Sequence, residues 1–275
     1  MTRDPSIIDF PLWLQTPPGR YLLEWERARL ASQVADVFGF HALQLGLPEL
    51  DALQANRMPH RWLALPAPAA AVAATDPPDV GNAAAPGRTR LCCDFDALPF
   101  PSQSLDLVVL PHTLDLARDP HHTLREVERV LVAEGRLIVV GFNPASLWGL
   151  RRWSGRWARR LGAEAPPYLP QAGDAIAHRR LRDWLRLLGF EVERGGFGCY
   201  RPALRSQAWL DRWAWTERAG DRWWPVFGAV YMLGAVKRVR GMRVIGPAWK
   251  KAPTPRAAPA VVSHRQRRIP PAPAP

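Results

Sequence analysis

Apolar and polar positions along the chain first alternate with a helical period. Residues 20 to 38, RYLLEWERARLASQVADVF, place Leu22, Leu23, Trp25, Leu30, Val34 and Val37 among charges, which predicts a helix closed by Gly39. Short apolar runs then predict strands at His41–Leu45, Arg61–Leu65, Thr89–Cys93, Leu105–Leu110 and Arg136–Gly141. LDLVVL and RLIVVG are nearly continuous apolar runs, as expected of central strands covered on both faces. Between them, DPHHTLREVERVLVAEG carries a helical stripe of Leu124, Val127, Val130 and Leu131, with Gly135 closing it. Strand, helix and strand at this spacing make a parallel crossover, so the class is α/β. A further amphipathic helix is predicted over Arg179–Leu188, then the strand FEVE, and finally AVYMLGAVKR, an apolar strand that stops at basic residues.

Composition changes this picture mainly at the edges. With 275 residues, 47% of them apolar, the chain is long enough for a packed core. Residues 66–88 are mostly Pro, Ala and Gly and read as a surface insertion. The formal charge of +12 suggests a nucleic-acid partner until its position is considered. From Ala235 to Pro275 there are ten Lys or Arg and no Asp or Glu, and 12 − 10 leaves about +2 for everything before. The expected organisation is an N-terminal helical extension (1–38), a main domain (39–240) and a basic, disordered Pro/Ala-rich tail (241–275).

Three cysteines, two of them adjacent (Cys92, Cys93) and one distant (Cys199), give neither a ligand spacing nor a disulfide framework. They read as small buried hydrophobes in a reducing compartment. MTRDPSIIDFPLWL has no basic start leading into an unbroken apolar run, and no stretch reaches about 18 apolar residues, so the expected location is cytoplasmic. His112, His121 and His122 lack a Cys or carboxylate at ligand spacing, and no metal is expected.

In an open parallel sheet, ligands bind beyond the carboxyl ends of the strands. The candidates are therefore Gly46, Asp94, Pro111 with His112, and Phe142 with Asn143, which follow successive strands. A carboxylate such as Asp94 can accept from an exocyclic amino group while neighbouring backbone amides donate to ring nitrogens, which suits adenine. Asp94 could equally cap its own turn, and Asp106 reads as structural, pairing with a backbone amide or an Arg.

The stretch CDFDALPFPSQSLDLVVLPHTLDLARDPHHTLREVERVLVAEGRLIVVGF resembles the middle of class I S-adenosylmethionine-dependent methyltransferases of the type 11 kind. It carries their acidic residue (Asp94), Leu98 to Phe100, Ser104 with Asp106, His112, Glu126 with Arg129 to Leu131, and Gly135. The resemblance covers roughly residues 40 to 240. It implies a Rossmann-like, mostly parallel seven-stranded sheet with helices on both faces and an antiparallel last strand. It also implies S-adenosyl-L-methionine as cofactor, held by Gly46, Leu47, Asp94, Phe95, Pro111 and His112. Asp94 would receive the adenine amino group, Gly46 would lie under the methionine portion, and Pro111 to His112 would flank the sulfonium. A dedicated base is optional in this chemistry, with His112 the candidate catalytic group. Lid segments are expected at 145–175 and 200–227, over an unidentified acceptor of small-molecule size. Two positions depart from the family: Gly46 is the lone glycine after the first strand, and Pro66 with alanines follows the second where an acid would hold the ribose.

A last feature is SLWGLRRWSGRWARRLG, residues 146–162. At about 100° per residue, Leu150, Trp153, Trp157 and Leu161 share one face and Arg152, Arg156, Arg159 and Arg160 the other. The expected arrangement is a lid helix that buries its tryptophans on the sheet edge and leaves its arginines in solvent; the alternatives are an interfacial helix on anionic lipid or a face for an acidic partner. Three functions follow: a methyltransferase, a catalytically degenerate scaffold or regulator on the same fold, and a binder of nucleic acid or membrane surface through residues 146–162 and 241–275.

Overall fold

The computed structural model describes residues 10–66, 88–162, 168–170 and 175–239. Most of the expected 66–88 insertion, the 241–275 tail and parts of the 145–175 lid lie outside the described residues.

Seven strands form one sheet: β1 (His41–Leu45), β2 (His60–Leu65), β3 (Arg88–Cys92), β4 (Leu105–Pro111), β5 (Leu131–Phe142), β6 (Phe190–Gly198) and β7 (Val230–Lys237). Their order is β3-β2-β1-β4-β5-β7-β6, with β7 antiparallel to both of its neighbours and the other six strands parallel. This is the Rossmann-like class I arrangement expected from the sequence.

The apolar runs alternate between two cores. Ala42, Leu107, Val109, Ile138 and Val140 face the helix Pro17–Val34, while Leu43, Leu45, Val108, Leu110, Leu137 and Val139 face the helices Pro120–Val130 and His178–Leu187. Helices thus cover both faces, and burial of this apolar surface is the main driving term.

Several boundaries differ from the sequence reading. The N-terminal helix begins at Pro17, where the Thr16 hydroxyl accepts from Gly19 N–H, and stops at Val34 rather than running from 20 to 38. A short helix, Phe10–Leu14, precedes it. β6 extends through Gly198 because pairing with β7 overrides the weak strand signal of ERGGFG. Cys92 is exposed and Cys93 half-buried, so only Cys199 is the buried hydrophobe expected of all three; β3 is an edge strand with little cover.

Between β1 and β2 the described residues form turns rather than a helix. Gln44, fully buried in β1, organises them. Its Nε2 donates to the carbonyls of Gly46 (2.9 Å), Leu47 (2.9 Å) and Leu50 (2.8 Å), while its Oε1 accepts from Ala52 N–H (3.0 Å) and Arg88 Nη2 (2.8 Å). Leu47, Leu50 and Leu53 pack into the core behind it.

The helix Leu147–Arg160 departs from the expected facing at its tryptophans, while Arg156 and Arg160 stand in solvent as expected. Trp148 is fully buried and Arg152 is buried, whereas Leu150, Trp153, Trp157 and Leu161 are exposed. Trp148 decides the rotation: its indole N–H donates to Arg201 O at 2.8 Å, and its ring packs on Trp13 and Tyr168.

Candidate functional site

The carboxyl ends of β1, β3, β4 and β5 meet at one edge of the sheet, and most of the shared motif proves to be the scaffold of that edge. Arg129 donates from Nη2 to Leu98 O and from Nη1 to Phe100 O, each at 3.0 Å, while Glu126 accepts from Leu98 N–H at 3.1 Å and pairs with Arg129 at 2.8 Å. The Glu-x-x-Arg helix therefore clamps the Leu-Pro-Phe turn. Asp106 accepts from the N–H groups of Phe40 (2.8 Å) and His41 (2.9 Å), fixing the start of β1, in line with a structural reading of that residue. Asp96 accepts from the Thr123 hydroxyl at 2.9 Å.

Asp94 is different. Its side chain is exposed, and it makes a turn contact with Asp96 N–H at 3.2 Å. It follows β3 at the sheet edge, beside Phe95, whose ring lies over Gly46: a Cβ built on Gly46 would meet the ring at 3.7 Å and the Thr113 hydroxyl at 3.8 Å. Gly46 has φ 76° and Leu47 φ 50°, a left-handed pair in which glycine carries no steric penalty. The Thr113 hydroxyl donates to Leu45 O at 2.5 Å and ties the loop after β4 to the end of β1. Gly46, Phe95 and the β4 loop are thus brought together. Leu47 instead turns its side chain into the core.

Pro111 and His112 end β4, but both are buried, and His112 is sealed from solvent. Its Nε2 lies 2.6 Å from Glu26 Oε1 and its Nδ1 3.2 Å from Asp115 Oδ2. Phe142 packs against the imidazole at 4.2 Å between ring centroids and Phe10 at 5.4 Å. Burial alone would lower the His112 pKa, but Glu26 and Asp115 outweigh it and bring it up to about 9. A protonated imidazole held between two carboxylates behind two phenylalanines has no path to an acceptor. The expected catalytic role of His112 is therefore replaced by a structural one: it locks the helix Pro17–Val34 to the end of β4. Asp115 also accepts from Phe142 N–H at 2.9 Å, extending the lock to β5.

A second tie joins the same N-terminal helix to the closing segments. Tyr21 donates to Glu217, whose carboxylate also accepts from Cys199 N–H (3.1 Å) and Tyr200 N–H (3.0 Å). Burial foremost, with Cys199 and Glu217, holds the Tyr21 phenol protonated far above its usual range. Asn143 donates to Val226 O at 2.8 Å and Gly228 O at 2.9 Å, so it braces the chain entering β7.

Beyond β5 lies a depression of about 540 Å³, bordered by Phe142, Leu147, Leu150, Trp153, Leu169 and Phe227. Both expected lid segments contribute to it. Among the described residues, no group of three or more His, Cys, Asp or Glu could hold a metal ion.

The sequence reading missed Glu26, Gln44 and Asp115. Glu26 sits between Leu22 and Leu30 on the buried stripe of its helix, and Gln44 interrupts the apolar run HALQL. In both cases a polar residue on an apolar face was the available signal.

Comparison with known proteins agrees with this architecture. Residues 58–139 match the sequence profile of a family described as methyltransferase domain. The chain is 32% identical to the Escherichia coli K12 protein YafS over 176 residues, 63% of this chain and 65% of YafS. It is 40% identical to malonyl-[acyl-carrier protein] O-methyltransferase of Halorhodospira halophila over 68 residues, 25% of this chain and 22% of that protein. The chain therefore spans less than two thirds of the length of these relatives. Among solved structures, it superimposes with a TM-score of 0.54 on a chain from the complex of the Haloferax volcanii Trm112 methyltransferase activator with a protein described as a methyltransferase. That match has 20% identity and covers 84% of this chain and 97% of the other. An S-adenosylmethionine-dependent methyltransferase from Mesorhizobium loti gives a TM-score of 0.50 at 18% identity, covering 78% and 97%. Profile and strand order agree: residues 58–139 match a methyltransferase-domain profile, and the sheet around them has the class I methyltransferase fold.

Proposed function

We propose that the protein is an S-adenosylmethionine-dependent methyltransferase acting on a small-molecule acceptor. The observation that carries this reading is Asp94. Of the motif's acids, Asp106 and Glu126 are spent on the scaffold, while Asp94 stands exposed after β3, next in the chain to Phe95, whose ring lies over the left-handed turn at Gly46. These residues fit an adenosine-bearing ligand: Asp94 would accept from the adenine amino group, Phe95 would lie against the adenosine, and Gly46 would take the methionine end. The cofactor supplies a methyl group already activated on a sulfonium, so the chain's task is to place the acceptor in line with it. The apolar depression after β5 is of small-molecule size. Free cysteines and the absence, among the described residues, of a helix able to cross a membrane agree with a cytoplasmic setting.

A second reading, a methyltransferase fold without turnover, is favoured by Gln44, which draws the carbonyls after β1 inward and packs the loop down. Titration calorimetry of the full chain with S-adenosylhomocysteine separates the two. Saturable binding supports the enzyme; a folded protein with no heat at millimolar ligand removes it and leaves the scaffold.

A further inference from the structure

The helix Leu147–Arg160 presents to solvent the side chains that amphipathic helices normally hide. Leu150 is 57% exposed, Trp153 54%, Trp157 49% and Leu161, just beyond the helix, 80%. The two tryptophan rings lie 5.9 Å apart, so they form one surface rather than scattered contacts. Phe227 shares the depression beside Leu147, Leu150 and Trp153, and its chain neighbours Trp223, Trp224 and Val226 are also exposed. An apolar patch drawn from two segments is uncommon on a surface that meets only water. Within this helix there are five arginines and no acid, and Arg151, Arg156 and Arg160 are exposed around the tryptophans.

We propose that this face docks on an anionic lipid bilayer. Charge selects the occupant. A second copy of the chain, meeting this patch with its own, would set Arg151, Arg156 and Arg160 against the same three cations. Residues 240–275 carry Lys and Arg and no acid, so their charge does not complement this basic helix. A nucleic acid would pair with the arginines but leave Leu147, Leu150 and Leu161 in water. A bilayer surface meets both demands: anionic headgroups take the guanidinium groups, and the headgroup–acyl boundary takes leucine and tryptophan side chains. The helix has 14 residues, so it lies on a bilayer rather than crossing it. The inference does not depend on the methyltransferase reading, and its test contains no cofactor.

Vesicle flotation of the full chain tests it, with phosphatidylcholine vesicles against phosphatidylcholine doped with phosphatidylglycerol. The expected result is binding to the doped vesicles alone, weakened by salt, with tryptophan fluorescence quenched by brominated acyl chains. Changing Trp153→Ser and Trp157→Ser together should lower partitioning by about tenfold or more without moving the denaturation midpoint, since both side chains stand in solvent. Changing Arg151→Glu and Arg160→Glu should abolish the preference for phosphatidylglycerol. The proposal is overturned if the tryptophan variant floats as well as the natural sequence, because binding then belongs to another region such as the basic tail. It is also overturned if the natural sequence binds RNA and no vesicle, or forms a dimer that the tryptophan changes dissolve.

Discussion

The lock around His112 makes the protein's stability depend on pH in a defined window. Enclosure between Glu26 and Asp115 raises the imidazole pKa from 6.5 to about 9. A group whose pKa is raised on folding stabilises the native state fully below its unfolded value and loses that contribution as pH climbs through the folded one. The rise from 6.5 to about 9, at about 1.4 kcal/mol for each pH unit, makes roughly 3 to 4 kcal/mol, mostly present at pH 6 and largely gone above pH 9. Urea denaturation at several pH values from 6 to 9.5 measures it, against a variant carrying His112→Asn with Glu26→Gln. Asn tolerates the left-handed backbone at this position, φ 54°, and the pair of changes removes the imidazolium together with its closer carboxylate, while Asp115 keeps its hydrogen bond from Phe142 N–H. The variant should be less stable than the natural sequence at pH 6, and the gap should close by about 3 kcal/mol as pH rises to 9.5. A gap that stays constant across the window would refute a charged His112. The imidazole proton resonances of the natural protein give a second readout that needs no variant: their midpoint should lie near 9.

Asp94→Ala should weaken S-adenosylhomocysteine binding about tenfold by calorimetry, the worth of one hydrogen bond to a carboxylate, with the denaturation midpoint unmoved because the side chain is exposed; equal affinity would take Asp94 out of the site. In the helix Leu147–Arg160, Gly149→Ala and Gly155→Ala should act in opposite directions. A Cβ at Gly149 would come within 2.2 Å of Pro144 O, a backbone clash expected to cost about 2 kcal/mol or more, while one at Gly155 meets nothing within 4 Å and should add about 0.5–1 kcal/mol through helix propensity. Thermal midpoints that shift together would contradict the packing of this helix.

The fold was legible because its strands are written in apolar runs with few alternatives. LDLVVL and RLIVVG can be buried on both faces only at the middle of a sheet, and β1, β2 and β3 fell within one residue of their expected starts. The site was harder to read for a physical reason. The residues that carry the resemblance, Leu98 to Phe100 with Glu126 and Arg129, mostly hold one another, so they point to the scaffold and say little about chemistry. His112 reads as functional from its place after β4, yet its environment is set by Glu26, 86 residues earlier, which no local pattern pairs with it. The facing of the Trp153 helix failed for a related reason. Its hydrophobic stripe correctly predicts amphipathicity, but Trp148, with Arg201 and Tyr168 as partners, anchors the other side.

Gln44 has one more consequence, for how the sheet finds its alignment. Side chains on a strand point alternately to opposite faces, so sliding β1 by one position against β2 and β4 would carry this amide to the face of Leu43 and Leu45, among aliphatic neighbours with nothing to bond. The correct alignment satisfies five polar groups through one side chain, and the neighbouring misalignments satisfy none of them. A strand of five residues carries little information in its aliphatic positions alone. In β1 the specification of register is delegated to a single polar letter, which makes the loop it gathers an outcome of strand pairing rather than an independent element.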